Sequence, residues 1–253
     1  MEELKQQLTK ELQQDFNVKI LDSLSWGLPV HSIEIEYHTV KRSKMDVLMK
    51  MMLIAFQKAE IETAEELSEI LLVEQLFIND LINKMFRSRL IEKKGSTYAL
   101  TDAGGQQLEN GVFEGEPVKG TKEAIYSLCH HTFLTGEIKE VTYEGLKVYR
   151  FRNEFDEFKI NSIGENVLLN TLKETGVESD EGNVQTVVSE IVSSTELQIN
   201  LVPCQEFRLH NLAEDIIYAR VWNTLTEQWD ETLEAQVNKK DRIDWRKMYL
   251  QNA

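Results

Sequence analysis

Residues 43–111 carry the tightest constraint in this sequence: three helical apolar patterns in succession, then a short strand pair, then a further capped helix. Ser43 can cap the first helix, with Asp46 in its first turn, where the helix dipole favours an acid. Met45, Leu48, Met49, Met52, Leu53 and Phe56 form its buried stripe, and it runs to about Glu60. Thr63-Ala-Glu-Glu66 is a capping box that opens a short helix from Ala64 to Leu71. After a tight turn near Leu72-Val73, a third helix is expected from Glu74 to Arg89, with Leu76, Ile78, Leu81, Ile82, Met85 and Phe86 giving it a helical apolar pattern. Leu90 to Leu100 reads as strand, turn at Gly95-Ser96, and strand. Thr101 caps a last short helix that carries Leu108.

The flanking segments are less specific. Leu4, Leu8 and Leu12, followed by Phe16, predict an N-terminal helix over residues 2–15. Asn17 to Val40 alternates, and Gly27-Leu-Pro29 reads as a turn between two short strands. Residues 112–122, with Gly115, Pro117 and Gly120, read as a linker. Beyond it the pattern predicts a helix from Lys122 to Phe133 and a strand from Val141 to Phe151. A helix capped by Asn161 or Ser162 should end at Gly176, and a second should span Val184 to Val192. Strands are expected at Glu196–Val202, Glu206–Leu209, Ile216–Trp222 and Gln228–Val237, the last two pairing around Asn223-Thr-Leu-Thr. The fold class is therefore α+β, with an N-terminal helix and strand extension at 1–42, the helical and strand-pair segment at 43–111, the linker at 112–122 and a C-terminal mixed domain at 123–253.

One resemblance can be named on these residues. Thr63-Ala-Glu-Glu-Leu67, Ile78, Ile82, Met85, Leu90-Ile91, Tyr98-Ala-Leu-Thr-Asp-Ala-Gly104 and Leu108 together resemble the winged helix-turn-helix superfamily of the MarR and PadR type, over about a quarter of the chain. The resemblance implies a winged helix whose third helix enters the major groove of double-stranded DNA. It also implies homodimers, by analogy alone. On that helix Gln75, Asn79, Asn83 and Arg87 form one stripe at i, i+4 spacing. Gln and Asn suit adenine, and Arg suits guanine or phosphate. Lys84, Lys93 and Lys94 add charge toward the wing, as do Arg87 and Arg89. Glu74 and Asp80 oppose phosphate, Leu76 and Phe77 are poor groove residues, and Arg89 stands where such domains often carry a turn glycine.

Charge sets the balance between the readings. The chain has a formal net charge of -15, distributed as -4 over residues 1–38, +1 over 39–100 and -12 over 101–253. Acidic chains do not coat nucleic acid generically. The near-neutral segment permits DNA contact without predicting it. The first expectation is therefore a regulatory protein that binds DNA through the winged helix and uses its acidic C-terminal domain for sensing or docking. The alternative is an interaction subunit of a larger assembly, with Leu76 and Phe77 at the contact and no DNA. A third reading is a hydrolase or nuclease using Asp230, Glu231, Asp241 and Asp244 with Lys239, Lys240 and Arg242. None of the phosphate-loop, dinucleotide, serine-elbow or zinc-protease motifs occurs, so no catalytic residue and no cofactor is assigned.

Cys129-His130-His131 could combine with Cys204 or His210, but the spacing is not that of a structural zinc site, so a buried cysteine beside surface histidines is expected. Acidic clusters at Glu154-Phe-Asp156-Glu157 and Glu178-Ser-Asp180-Glu181 read as solvated loops or helix ends. Tyr218, Trp222, Trp229, Trp245 and Tyr249 are expected to pack a small sheet. Two unclustered cysteines, the lack of an apolar run of spanning length and an opening Met1-Glu-Glu-Leu-Lys-Gln predict a cytoplasmic protein with no membrane contact.

Overall fold

A computed structural model describes residues 2–138, 146–151 and 159–250, and it contains both helices and strands, as an α+β fold requires. Of the strand expected at 141–151, residues 141–145 lie outside the described residues and Lys147–Val148 is extended; the Glu154 to Glu157 cluster lies outside them. The chain divides into two compact units. One comprises Met1–Glu34, Glu123–Gly164 and Ser194–Ala253, the other Ile35–Lys122 and Glu165–Ser193. Among the described residues no helix is long and apolar enough to cross a membrane.

In the first unit α1 (Glu2–Leu12) buries Leu8 beside Phe207 and Leu209. Leu4 and Leu12 pack against the same cluster, and the stripe ends before Phe16, which is almost fully exposed. The two short strands expected over residues 17–40 are one strand, β1 (Val18–Lys44). Gly27 is not a turn residue. A Cβ there would sit 3.1 Å from both Leu201 and Leu146, so the glycine admits a neighbouring strand at close range. Its carbonyl accepts the Tyr149 N–H at 2.9 Å, and Trp26 and Gly27 pair with β7 (Lys147–Val148).

The helix expected at 122–133 is a hairpin of β5 (Val118–Ser127) and β6 (Thr132–Leu134). His131 takes a left-handed φ of 53° in its turn, and Tyr126 meets Phe133 edge-on at 5.1 Å. The helix expected at 184–192 is also strand. β9 (Val184–Asn211) is continuous through it, because Val184, Thr186, Val187, Val188, Ile191 and Val192 are β-branched and favour the pleat. With β10 (Ile216–Asn223) and β11 (Gln228–Trp229), the strands hydrogen-bond in the order β11-β10-β9-β1-β5-β6. β10 and β11 pair at Trp222↔Trp229 and Asn223↔Gln228, as expected.

The strand expected to run on to Val237 ends at Trp229. Asp230 accepts the Leu233 N–H at 3.0 Å and so opens α7 (Glu231–Leu250). Leu233, Val237 and Trp245 face inward. Asn238 bonds both the N–H and the C=O of Ala219, satisfying the open edge of β10 where β11 has ended.

The second unit holds α2 (Val47–Lys58), α3 (Ala64–Leu71), α4 (Gln75–Arg87), β2 (Ile91–Lys94), β3 (Thr97–Leu100), α5 (Asp102–Asn110) and β4 (Val112–Glu114). It also includes α6 (Glu165–Glu174), closed near Gly176 at φ +76°, and β8 (Ser179–Glu181), which pairs with the start of β9. The cap of α2 is Asp46, whose Oδ1 accepts from Leu48 and Met49. Ser43 stays in β1, opposite Phe113. Thr63 caps α3 by accepting the Glu66 N–H at 3.2 Å, and Glu66 reaches back to the Glu62 N–H at 2.9 Å. Met49, Met52, Leu53, Leu67, Ile78, Ile82 and Met85 close one core. The segment 112–122 is not an open linker. It carries β4 and the start of β5, and Gly120 lies where a Cβ would meet the Tyr37 ring at 2.7 Å.

The Thr101-Asp-Ala-Gly104 phrase has a packing cause. Thr101 caps α5 by accepting the Gly104 N–H at 2.9 Å and donates its hydroxyl to the Arg89 carbonyl at 2.6 Å. This presses α5 onto the α4–β2 turn, so a Cβ on Gly104 would sit 2.0 Å from the Leu90 carbonyl oxygen. Gly105 has nothing within 4 Å of its Cβ position. Gly104→Ala should cost about 3 kcal/mol of unfolding free energy through overpacking against backbone. Gly105→Ala should gain about 0.5–1 kcal/mol through helix propensity. Urea unfolding of the two variants checks both signs.

Candidate functional site

α4 has 13 residues and is about 20 Å long. Ile78, Ile82 and Met85 point into the core, which turns the opposite face to solvent. Gln75, Asn79, Asn83, Lys84, Arg87, Lys93 and Lys94 are all exposed. Three of the lysines are engaged locally. Lys84 Nζ lies 4.7 Å from the Phe113 ring centroid, Lys93 Nζ lies 5.1 Å from that of Tyr98, and Lys94 pairs with Glu92 at 3.4 Å.

Leu76 and Phe77 are exposed as well, at 68% and 57%. Ile70 and Leu72 join them at 59% and 91%, a pair the sequence reading missed. The local backbone explains the exposure of Leu72. α3 ends in a left-handed residue, and that residue is Leu72 rather than glycine, at φ 54°. Its N–H bonds the Ser68 carbonyl, while the Ser68 hydroxyl donates to the Val73 carbonyl at 2.7 Å. The turn is thereby fixed with Leu72 projecting outward. Four large apolar side chains stand in solvent within eight residues of chain.

Charge along this segment is segregated. Between Lys58 and Lys84 there is no basic residue, but there are seven acidic ones: Glu60, Glu62, Glu65, Glu66, Glu69, Glu74 and Asp80. The five bases Lys84, Arg87, Arg89, Lys93 and Lys94 follow, at the far end of α4 and in the hairpin. The near-neutral total therefore conceals two opposed halves. The leading end of α4 is acidic and apolar, and its trailing end is basic. Arg89, in the place expected for a turn glycine, does adopt a left-handed φ of 56°.

The metal and catalytic candidates resolve differently. Cys129 and Cys204 are both buried. His130 is half-buried, and its side chain turns inward rather than into solvent. Its Nε2 donates to the Asp230 carboxylate at 3.0 Å, and its Nδ1 lies 2.7 Å from the Ser127 hydroxyl. Both ring nitrogens are thus occupied. His210 pairs with Asp215 at 2.9 Å. Among the described residues no group of three His, Cys, Asp or Glu side chains could hold a metal ion.

Ser127, His130 and Asp230 share the residue types of a hydrolytic triad, but Ser127 is wholly buried, so no substrate reaches its hydroxyl. Their sequence positions gave no signal beyond a serine three residues before a histidine. The carboxylate and lysine group expected on the C-terminal segment does not converge either. Asp230 caps α7, whereas Asp241 lies three turns along and pairs with Arg150 at 2.6 Å. Arg150 and Arg208 both bond the buried Glu206 carboxylate, which also accepts from Trp26 Nε1 at 2.9 Å. Trp222 and Trp229 meet edge-on at 5.4 Å and Trp245 is buried, so these aromatics pack the sheet as expected.

Asp230 has a measurable consequence. Burial alone would raise its pKa, but the hydrogen bonds from His130, Asn223 and the Leu233 N–H outweigh it and hold the carboxyl below the ordinary range. A depressed folded-state pKa adds stability above the unfolded value of about 3.9, and that stability disappears as pH falls through the lower folded value. Nearby Glu234 has the opposite sign, since burial raises its pKa. Comparison with Asp230→Asn isolates the first effect. The variant should be about 1–3 kcal/mol less stable near neutral pH, and the gap should close below about pH 4. Urea unfolding of both proteins across that range measures it.

Comparison with protein-family models, with curated proteins and with solved structures finds no match to this chain.

Proposed function

We propose that residues 43–111 form a winged helix-turn-helix used as a protein-docking module, and that the chain is an interaction subunit of a larger assembly. The order α2–α3–α4–β2–β3–α5 and the Thr63 and Thr101 caps support the winged-helix reading. One observation carries the docking reading: Ile70, Leu72, Leu76 and Phe77 are exposed together at the α3–α4 turn. A DNA-reading helix would bring this end into the groove. The acids around it would meet phosphate without a counter-charge, at a cost in affinity. Covering a Leu or Phe side chain with another apolar surface instead gains about 1.5–3 kcal/mol. Exposed apolar clusters of this kind mark contact surfaces.

A second reading has its own observation. The Gln75, Asn79, Asn83 and Arg87 stripe is exposed along the whole of α4, and the hairpin bases extend it. That stripe suits a duplex approached from the trailing end of the helix.

The two readings diverge in one titration. With a fluorescent mixed-sequence duplex at low salt, the docking reading predicts no change in anisotropy up to about 10 μM protein, well past the onset of ordinary non-specific binding. Binding that falls steeply with salt, and that Asn79→Ala or Arg87→Ala weakens, would replace docking by DNA recognition.

A further inference from the structure

The α3–α4 face asks for a partner with apolar side chains flanked by bases. Residues 239–250 of this same acidic chain offer that chemistry. They hold five basic and two acidic residues, a local charge of +3. The outward face of α7 presents Lys239, Arg242, Ile243, Arg246 and Lys247, spaced i, i+3, i+4, i+7 and i+8, opposite the buried Val237 and Trp245. Ile243 is 71% exposed and Met248 57%. Arg246 is tied to Asp215 and Lys247 lies near Asp244, but Lys239 and Arg242 have no ion-pair partner among the described residues. Each face combines exposed apolar side chains with a charge that the other complements.

We infer that the α7 face of one copy docks on the α3–α4 face of a second copy. The inference rests on the docking reading and names its occupant. Charge decides against the alternative self-contact. Two copies meeting through the same α3–α4 face would bring acids against acids, since that segment holds no base. The contact is therefore heterologous: each copy gives one surface and receives the other, and both its surfaces are used when it sits between two neighbours.

Sedimentation velocity on the full chain tests this with two variants, one altered at Leu76→Ser and Phe77→Ser, the other at Arg242→Glu and Ile243→Ser. All four positions are exposed, so both variants should keep the parental fold. The parental chain should sediment above the monomer, increasingly so toward about 100 μM, as a small interface allows. Each variant alone should stay monomeric. Their equimolar mixture should form a dimer and nothing larger, because one variant retains a sound α7 face and the other a sound α3–α4 face. A parental chain that is monomeric throughout overturns the inference. So does association of the Arg242→Glu variant by itself, or a mixture that stays monomeric. None of these results touches the docking reading, which falls only to duplex binding through α4.

Discussion

Burying a carboxylate is costly unless every lone pair finds a donor, and Asp230 is placed where satisfying that requirement also sets the chain direction. Its oxygens take hydrogen bonds from His130, Asn223 and the Leu233 N–H. The last of these is a helix cap, so the same acid that ends β11 starts α7. His130 is in turn held by Ser127 at the β5 end of its hairpin. One buried charge thereby joins a hairpin, the β10–β11 turn and the C-terminal helix. The rotation of α7 follows, with Leu233, Val237 and Trp245 inward and Arg242 and Ile243 in solvent. The triad-like residue set is explained by this structural work. Its serine is sealed, and its histidine has no nitrogen left for a substrate.

At the α3–α4 turn the governing constraint is backbone rather than charge. A left-handed residue closes α3, and a glycine there would have left a smooth surface. Leucine accepts a strained φ and contributes a side chain to solvent. Neither the strained φ nor the exposed leucine favours folding. Arg89 repeats the pattern at the end of α4, placing a base at a left-handed position beside the hairpin. The two irregular residues divide the segment into its acidic, apolar end and its basic end.

The helices of residues 43–111 were legible because their signals are local. A capping threonine, a helical apolar repeat and a turn glycine act within a few residues, and apart from the start of α2, three residues later than expected, the helices fall within two residues of expectation. The boundary errors share one cause. Ser43 resembles a cap because its pairing partner, Phe113 of β4, is 70 residues away. The long strands were illegible for the same reason. Gly27 looks like a turn until Leu201 is placed against it, and Gly120 looks like a linker until Tyr37 covers it. Val184 to Val192 did carry a local signal, its β-branched density, which the helical spacing of its apolar residues masked. Of the site, the exposed stripe on α4 could be read from periodicity. The exposure of Leu72 could not, because it depends on a left-handed φ in a residue that rarely adopts one.

A net charge of -15 would seem to forbid any association between copies of this chain. The length scale of screening removes the conflict. At physiological ionic strength the Debye length is about 8 Å, so charges spread over a molecule of this size repel one another weakly. Side chains in contact lie inside that distance and are desolvated by the apolar residues between them, which raises the weight of each local pair. Association is then governed by the faces that meet rather than by the total. Acids outnumber bases by 43 to 28 along the chain, yet local groups of bases stand on the outward face of α7 and at the trailing end of α4, and these are surfaces on which an acidic surface can land. Segregation of charge, more than its sum, decides what this protein can bind.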